Sequence, residues 1–410
     1  MINSLFRQSN FRSLWIGRLV SIFGDRFSEL ALPWLVLQST HSPWKAGLVV
    51  ACEQVAPLIL ATPIGVWVEG RPKRKIVVAA EFFRFLAMML ITILAWRAMV
   101  SVWIIALALF VMGTAGAFWG SSYSFLIRSS VGRENLGEAY NLIEGADAVS
   151  TLAGPLVAGW VFITLGPAWA LAVDAMSYVV SLLSVAFLPK SEPEIDHQKR
   201  KSISFVQGFH SAVDGFKFIG QSRLLRMLLG IGGLLNFITL AMQLLIIILA
   251  QQKLHMNAGQ TGILFSTMGA SDLLGVFVMN KLHRRNWRIL LSILLAVSAS
   301  GVFVIAFSPN FYWTIFGTFF FDGALSMGFV VSASSTQRVT PQHQLARFNS
   351  TSNTLSGSMR FVSRLYSGGV AQYVTVRFAI GFCAALLLGG AWWLLRYLGN
   401  EDIDVTDNNA

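Results

Sequence analysis

The stretch from Gly65 to Lys75 closes one long apolar run and immediately precedes another. A helix that ends at Arg71, Lys73, Arg74 and Lys75 cannot sink further into hydrocarbon. The stretch therefore reads as a tight turn between two membrane helices, held on the cytoplasmic side by its charges. The pattern returns half a chain later: Gly275-Val276-Phe277-Val278 repeats Gly65-Val66-Trp67-Val68, and Lys281, Arg284 and Arg285 fall at the offsets of Arg71, Arg74 and Lys75. A second echo links Leu136 to Asn141 with Leu345 to Asn349, displaced by one deletion. Two homologous halves running in the same direction through a bilayer follow from this.

With 55% hydrophobic and 12% charged residues, the 410-residue chain belongs to the membrane class. Each span needs about 20 apolar residues, which leaves room for twelve helices and no large soluble domain. The net charge of +11 raises the question of nucleic acid, and the positions of the cations answer it. Lys45, Arg97, Lys253 and Arg377 lie on odd-numbered turns, and Arg18, Arg26, Arg84, Arg360 and Arg364 within spans. All other Lys and Arg residues lie on the termini and even-numbered turns. That asymmetry places both termini in the cytoplasm, and no basic patch is interleaved with exposed aromatics, so no nucleic-acid partner is expected.

Cys52 and Cys383 fall inside spans, which argues against a disulfide framework. His41, His197, His210, His255, His283 and His343 are scattered over turns and the linker, so no metal site and no cofactor are expected. The chain contains no Gly-Lys dipeptide, which excludes a Walker A phosphate loop. With no nucleophile triad either, an enzyme is not indicated. The first apolar run outlasts a signal peptide and is expected to stay as a helix.

The organisation expected is an N-terminal six-helix bundle over 1–189, a cytoplasmic linker over 190–220, a C-terminal bundle over 221–399 and a disordered tail over 400–410. The linker carries Lys199 to Lys201 and an amphipathic helix from Phe205 to Ile219.

Ionisable residues inside spans are costly and mark cavities or partners. Span one carries Arg18, Asp25, Arg26 and Glu29, with Asp25 and Glu29 at i and i+4 on one face. Structurally, the cluster could be a network in which Arg26 neutralises a carboxylate while Arg18 snorkels to the surface. Span two adds Glu53, with Pro57 and Pro63 expected to bend it beside a cavity. Glu81 and Arg84 open span three near the basic turn and suit a conformational latch. Gly113, Gly116 and Gly120 on span four suit close helix approach. Spans five and six contribute Glu144, Asp147 and Asp174. In the second half Asp272, Asp322, Arg360 and Arg364 are the buried charges; the two arginines either hold an anionic group or pair with the two aspartates.

The turn resembles the signature loop between helices two and three of the major facilitator superfamily, Gly-x-x-x-Asp-Arg-x-Gly-Arg-Arg. Here Glu69 takes the Asp position, Gly70 the Arg and Pro72 the Gly, while Lys73 and Arg74 keep the basic end. Arg71 becomes the candidate for the usual inter-helix ion pair. Trp15 to Ser21, Gly24-Asp25 and Leu152 to Ala158 are most similar to the macrolide-efflux and enterobactin-exporter branch.

The resemblance implies an all-α integral membrane protein with twelve transmembrane helices in two pseudo-symmetric six-helix bundles, the major facilitator fold. It implies alternating access to a site at the midplane, with Glu69, Arg71, Lys73, Arg74, Glu81 and Arg84 forming a gating group. The function expected is a proton-coupled antiporter exporting a drug or siderophore; the alternative is a lysophospholipid or other lipid transporter. Its partners would be a small-molecule substrate, protons and the lipid bilayer, and it would act as a monomer in a bacterial inner membrane.

Asp25 and Glu29 are the first candidates for proton coupling, followed by Glu53 and Asp147. Arg26, Asp272, Asp322, Arg360 and Arg364 complete the expected cavity. Trp34, Phe118, Trp119 and Phe237 are candidates for its apolar wall.

Overall fold

A computed structural model of the chain describes residues 2–132, 134–188, 219–220, 222–282, 286–341 and 344–396. The expected linker, its amphipathic helix, Arg284, Arg285 and the tail beyond 399 fall outside these, Ile219 and Gly220 excepted. After a short helix Ile2–Arg7, twelve helices of twenty residues or more follow among the described residues. They are α1 Ser9–Thr40, α2 Pro43–Val68, α3 Lys73–Trp96, α4 Val102–Val131, α5 Leu136–Leu165, α6 Pro167–Ala186, α7 Arg223–Gln252, α8 Ala258–Leu282, α9 Trp287–Phe307, α10 Phe311–Val339, α11 Leu345–Tyr373 and α12 Val376–Arg396.

Among the described residues, nine of these are long and apolar enough to cross a membrane. The exceptions are α1, α2 and α11: α1 carries Arg18, Asp25, Arg26 and Glu29, and α11 is rich in Ser, Asn, Thr and Gly. Both pack on helices of the two halves, where polar side chains find partners other than lipid.

Local chemistry sets the helix ends. Ser42 caps α2 by accepting from the Lys45 amide with Pro43 at the first helical position, and Ser222, Asn286 and Asn310 cap α7, α9 and α10 in the same way. At the basic turn Gly70 adopts φ 73°, a conformation open to glycine without a Cβ penalty.

The two halves pack alike. α1 lies on α5 and α6, α2 on α4, and α3 on α4 and α6; correspondingly α7 lies on α11 and α12, α8 on α10, and α9 on α10 and α12. Two seams, α2 with α11 and α5 with α8, join the halves and exchange under the same pseudo-twofold relation.

Both seams are tight at the far end of the bundle, opposite the Gly65–Lys75 turn. Gly47 backs onto Gly368, and Gly159 onto Gly259 and Gly262. Ser42 donates to Gln372 across one seam at 2.8 Å, and Gln251 donates to the Trp34 carbonyl at 3.4 Å. Leu244 to Ala250 of α7 are buried on every side there. Toward the basic end the seams part, and Gly137 and Gly145 of α5 face open space. The molecule is closed at the far end and open toward the basic turn.

Of the α4 glycines, Gly113 meets the α2 backbone at Glu53, whereas Gly116 and Gly120 face no neighbour. Only the first supports the close approach that their spacing suggests.

Candidate functional site

A cavity of about 500 Å³ occupies the seam between the halves and draws its lining from both. Its wall in the first half holds Asp25, Arg26, Glu29, Glu53 and Arg84, and in the second Asp272, Asp322, Arg360 and Arg364. Residues scattered over more than 300 positions thus share one chamber.

On α1, Arg26 turns to Glu29 at 2.9 Å and reaches Asp147 on α5, also at 2.9 Å. On α3, Arg84 holds Asp25 at 3.0 Å and Glu81 at 3.4 Å, with its guanidinium 4.1 Å from the Tyr178 ring centre. The Tyr178 hydroxyl donates to Asp25 at 2.8 Å and lies 3.3 Å from Asp174. Each guanidinium therefore faces two carboxylates in a planar fork that a lysine could not reproduce.

Four features depart from expectation. Arg84 lines the cavity instead of serving the turn, because it stands several helical turns inside α3, and Glu81 is fully buried against it and Ser181. Arg18 lies 4.5 Å over Trp119 on α4, with its charge on a ring face. The prolines at the cavity are Pro33 and Pro155, not Pro57 and Pro63.

The fourth concerns the apolar wall. Trp34 is buried edge-on to Phe162, Phe237 packs on Tyr366, Trp119 stacks on Tyr123, and Phe118 faces Trp67. The wall is instead Leu32, Met88, Leu109, Met112, Phe265, Met268, Leu325 and Phe329. Hydrophobic type alone does not reveal which face of a helix turns inward. The methionines give this wall a flexible, polarisable surface suited to cargo of irregular shape.

The charges of the second half are arranged differently. Arg364 donates to Gln243 at 2.7 Å and to the Leu240 carbonyl at 3.1 Å, and neither Arg360 nor Arg364 forms an ion pair among the described residues. The alternative of a bridge to Asp272 or Asp322 is not what the described residues adopt; both aspartates line the cavity. Glu53 faces the cavity with no hydrogen bond or ion pair among the described residues.

Gln243 and Tyr178 line the cavity and were not among the expected cavity residues. Gln243 joins the halves by donating to Glu29 at 3.4 Å while accepting from Arg364. Its only signal is an amide inside an apolar run, and Tyr178 is signalled by its i+4 spacing from Asp174.

At the turn, Lys73 is buried and donates to the Val68 and Arg71 carbonyls at 2.7 Å each, and Arg74 donates to the Ala186 carbonyl. Arg71 stacks 3.8 Å over Trp67 and makes no ion pair, and Glu69 makes none among the described residues.

A model of the transmembrane secretion effector family matches residues 3–408. The enterobactin exporter EntS of Escherichia coli O6:K15:H31 is 25% identical over 349 residues, covering 83% of this chain and 80% of that one. Among solved structures, the nucleoside transporter NupG superposes with a TM-score of 0.74 at 12% identity, covering 94% of this chain and 99% of the other. A bacterial homologue of the iron transporter ferroportin, in an inward-facing state, gives 0.70 at 14% identity over 95% and 99%.

Proposed function

The chain belongs to the transmembrane secretion effector family of major facilitator transporters, and from that membership we propose that it exports a small amphipathic acid in exchange for protons, by alternating access from a bacterial inner membrane. The observation that supports this most is the charge division of the cavity. Among the described residues Arg360 and Arg364 have no carboxylate partner, while Asp25, Glu29 and Glu53 outnumber Arg26 and Arg84 on the facing wall. Guanidiniums outside any ion pair suit an anionic group of the cargo, the methionine-rich wall suits its apolar body, and siderophore-like compounds belong to this class.

Protons balance the surplus of acids. Several uncompensated carboxylates cannot share one partly dry site, so some are neutral until water or a cation reaches them. Coupling is then competition: cargo and proton favour opposite-facing states, each through its own difference in affinity for the two. Asp25 and Glu29 already have guanidinium partners, so Glu53 becomes the first candidate to exchange a proton with the cavity.

Efflux from loaded proteoliposomes under an imposed pH gradient tests this reading. Glu53→Gln is expected to lower gradient-driven efflux at least about tenfold while leaving downhill exchange near the parent rate, since each tenfold step corresponds to about 1.4 kcal/mol of coupling. Parent-level gradient-driven efflux in Glu53→Gln, and also in Asp25→Asn and Glu29→Gln, would remove the carboxylates from coupling. For the cargo, Arg360→Gln and Arg364→Gln are each expected to weaken binding of an anionic substrate by about 10- to 100-fold, the range for a lost charged hydrogen bond, and to leave a neutral analogue unaffected. Equal loss for both compounds argues against anion recognition.

A further inference from the structure

A second cavity, of about 590 Å³, lies on the lipid-facing side of the first half, away from the central chamber. Its walls come from α3 and α4, and the end of α2 closes it: Ile76, Ala79, Ala80 and Phe83 on one side, Phe110, Val111, Thr114, Ala115 and Phe118 on the other, and Trp67 at the mouth. The small side chains Ala79, Ala80 and Ala115 open the groove, and Phe83, Phe110 and Trp67 stand exposed along it. The Thr114 hydroxyl already donates to the Phe110 carbonyl, so the interior offers a ligand no free donor from that residue.

The mouth of the groove is basic. Of the four cations of the turn, Lys73 and Arg74 are turned inward onto backbone carbonyls, while Arg71 and Lys75 line the groove and have no carboxylate partner among the described residues. Arg71 is held in place by the Trp67 ring. From Ile76 to Phe83, and from Phe118 back to Phe110, the walls run about 10–12 Å at 1.5 Å per residue. That is most of one leaflet of a hydrocarbon core about 30 Å thick. An apolar slot one leaflet deep, with two unpaired cations at headgroup level and an indole beside them, matches an anionic phospholipid and no water-soluble ligand.

We propose that this groove is a binding site for one anionic phospholipid, its phosphate held by Arg71 and Lys75 and an acyl chain lying between α3 and α4. The bound lipid braces the α2–α3 turn, which must shift when the halves rock, so transport responds to anionic lipid content independently of what the central cavity carries.

The test is native mass spectrometry of the full chain titrated with phosphatidylglycerol or phosphatidylcholine. The expected result is one tightly retained phosphatidylglycerol per chain, with phosphatidylcholine retained at least tenfold more weakly. Arg71→Gln/Lys75→Gln should remove that difference, and Ala79→Trp, which fills the groove and leaves both cations, should lower retention of phosphatidylglycerol to a similar degree. Circular dichroism and thermal unfolding confirm that each variant is folded. Equal retention of the two lipids by the parent, or undiminished phosphatidylglycerol retention in both folded variants, overturns the site.

Discussion

Arg84→Ala is expected to destabilise the protein by about 3–5 kcal/mol, the range for deleting one partner of a buried ion pair. The side chain is 12% exposed and faces Asp25, Glu81 and the Tyr178 hydroxyl together. Without it, among the described residues, Glu81, which is fully buried, keeps the Ser181 hydroxyl and Asp25 keeps the Tyr178 hydroxyl. The loss arises mainly from negative charge stranded away from water, and much less from the contacts removed. Arg84→Lys should recover only part of it, because one ammonium cannot serve three groups lying in different directions.

Neutralising the stranded acids gives the sharper check. In thermal unfolding in detergent, Arg84→Ala/Glu81→Gln/Asp25→Asn should be more stable than Arg84→Ala alone, an inversion that simple loss of packing cannot produce. A triple variant less stable than the single one would mean that Arg84 acts through its aliphatic stem and its stacking on Tyr178.

The sequence made the scaffold legible because hydrocarbon is an undemanding solvent to read: a span is a long apolar run, and a basic cluster ends it. The turn expected between Gly65 and Lys75 does separate two helices, α2 ending at Val68 and α3 starting at Lys73. The repeated Gly65 and Gly275 turns announced the pairing of α2 with α8 as equivalent elements, and the two seams obey it.

The site was legible as a set of residues but not as a set of partnerships. Asp25 and Glu29 share a helix face, as their spacing requires, yet each takes a different arginine, Arg84 from α3 and Arg26 from its own helix. The i,i+3 spacing on α1 gives the Arg26–Glu29 pair, whereas the reach of Arg84 to Asp25 depends on how α1, α3 and α6 are rotated against one another. Gln243 escaped for a related reason, since a neutral amide in an apolar helix carries no charge to mark it and gains its place only when α7 meets α1 and α11. The wall aromatics failed in the opposite sense, as Trp34 and Phe237 were conspicuous by type while the quieter Met88, Met112 and Met268 hold the lining.

Closure of the far end rests on contacts that tolerate no side chain, which leads to the other large expected effect. A Cβ at Gly47 would lie 2.6 Å from the Arg364 carbonyl oxygen and 2.8 Å from the Gly368 Cα; one at Gly368 would lie 2.7 Å from the Pro43 carbonyl oxygen. The opposing atoms are backbone in long helices, so no rotamer change relieves the clash. Overpacking of this kind costs about 1–3 kcal/mol, and the far-end-open state escapes it by separating the halves. Gly47→Leu and Gly368→Leu should therefore shift the equilibrium roughly 5- to 150-fold toward that state.

Spin labels at Ser39→Cys on the first half and Thr375→Cys on the second, in a Cys52→Ser/Cys383→Ala background, report the separation across the far end. The distance distribution should move to longer values in either leucine variant and stay unchanged in Gly120→Leu, whose added side chain meets no neighbour. A folded Gly47→Leu with the parent distribution would show that the seam absorbs the bulk locally, and the rocking of two rigid halves would then be the wrong description of how this chain exchanges access.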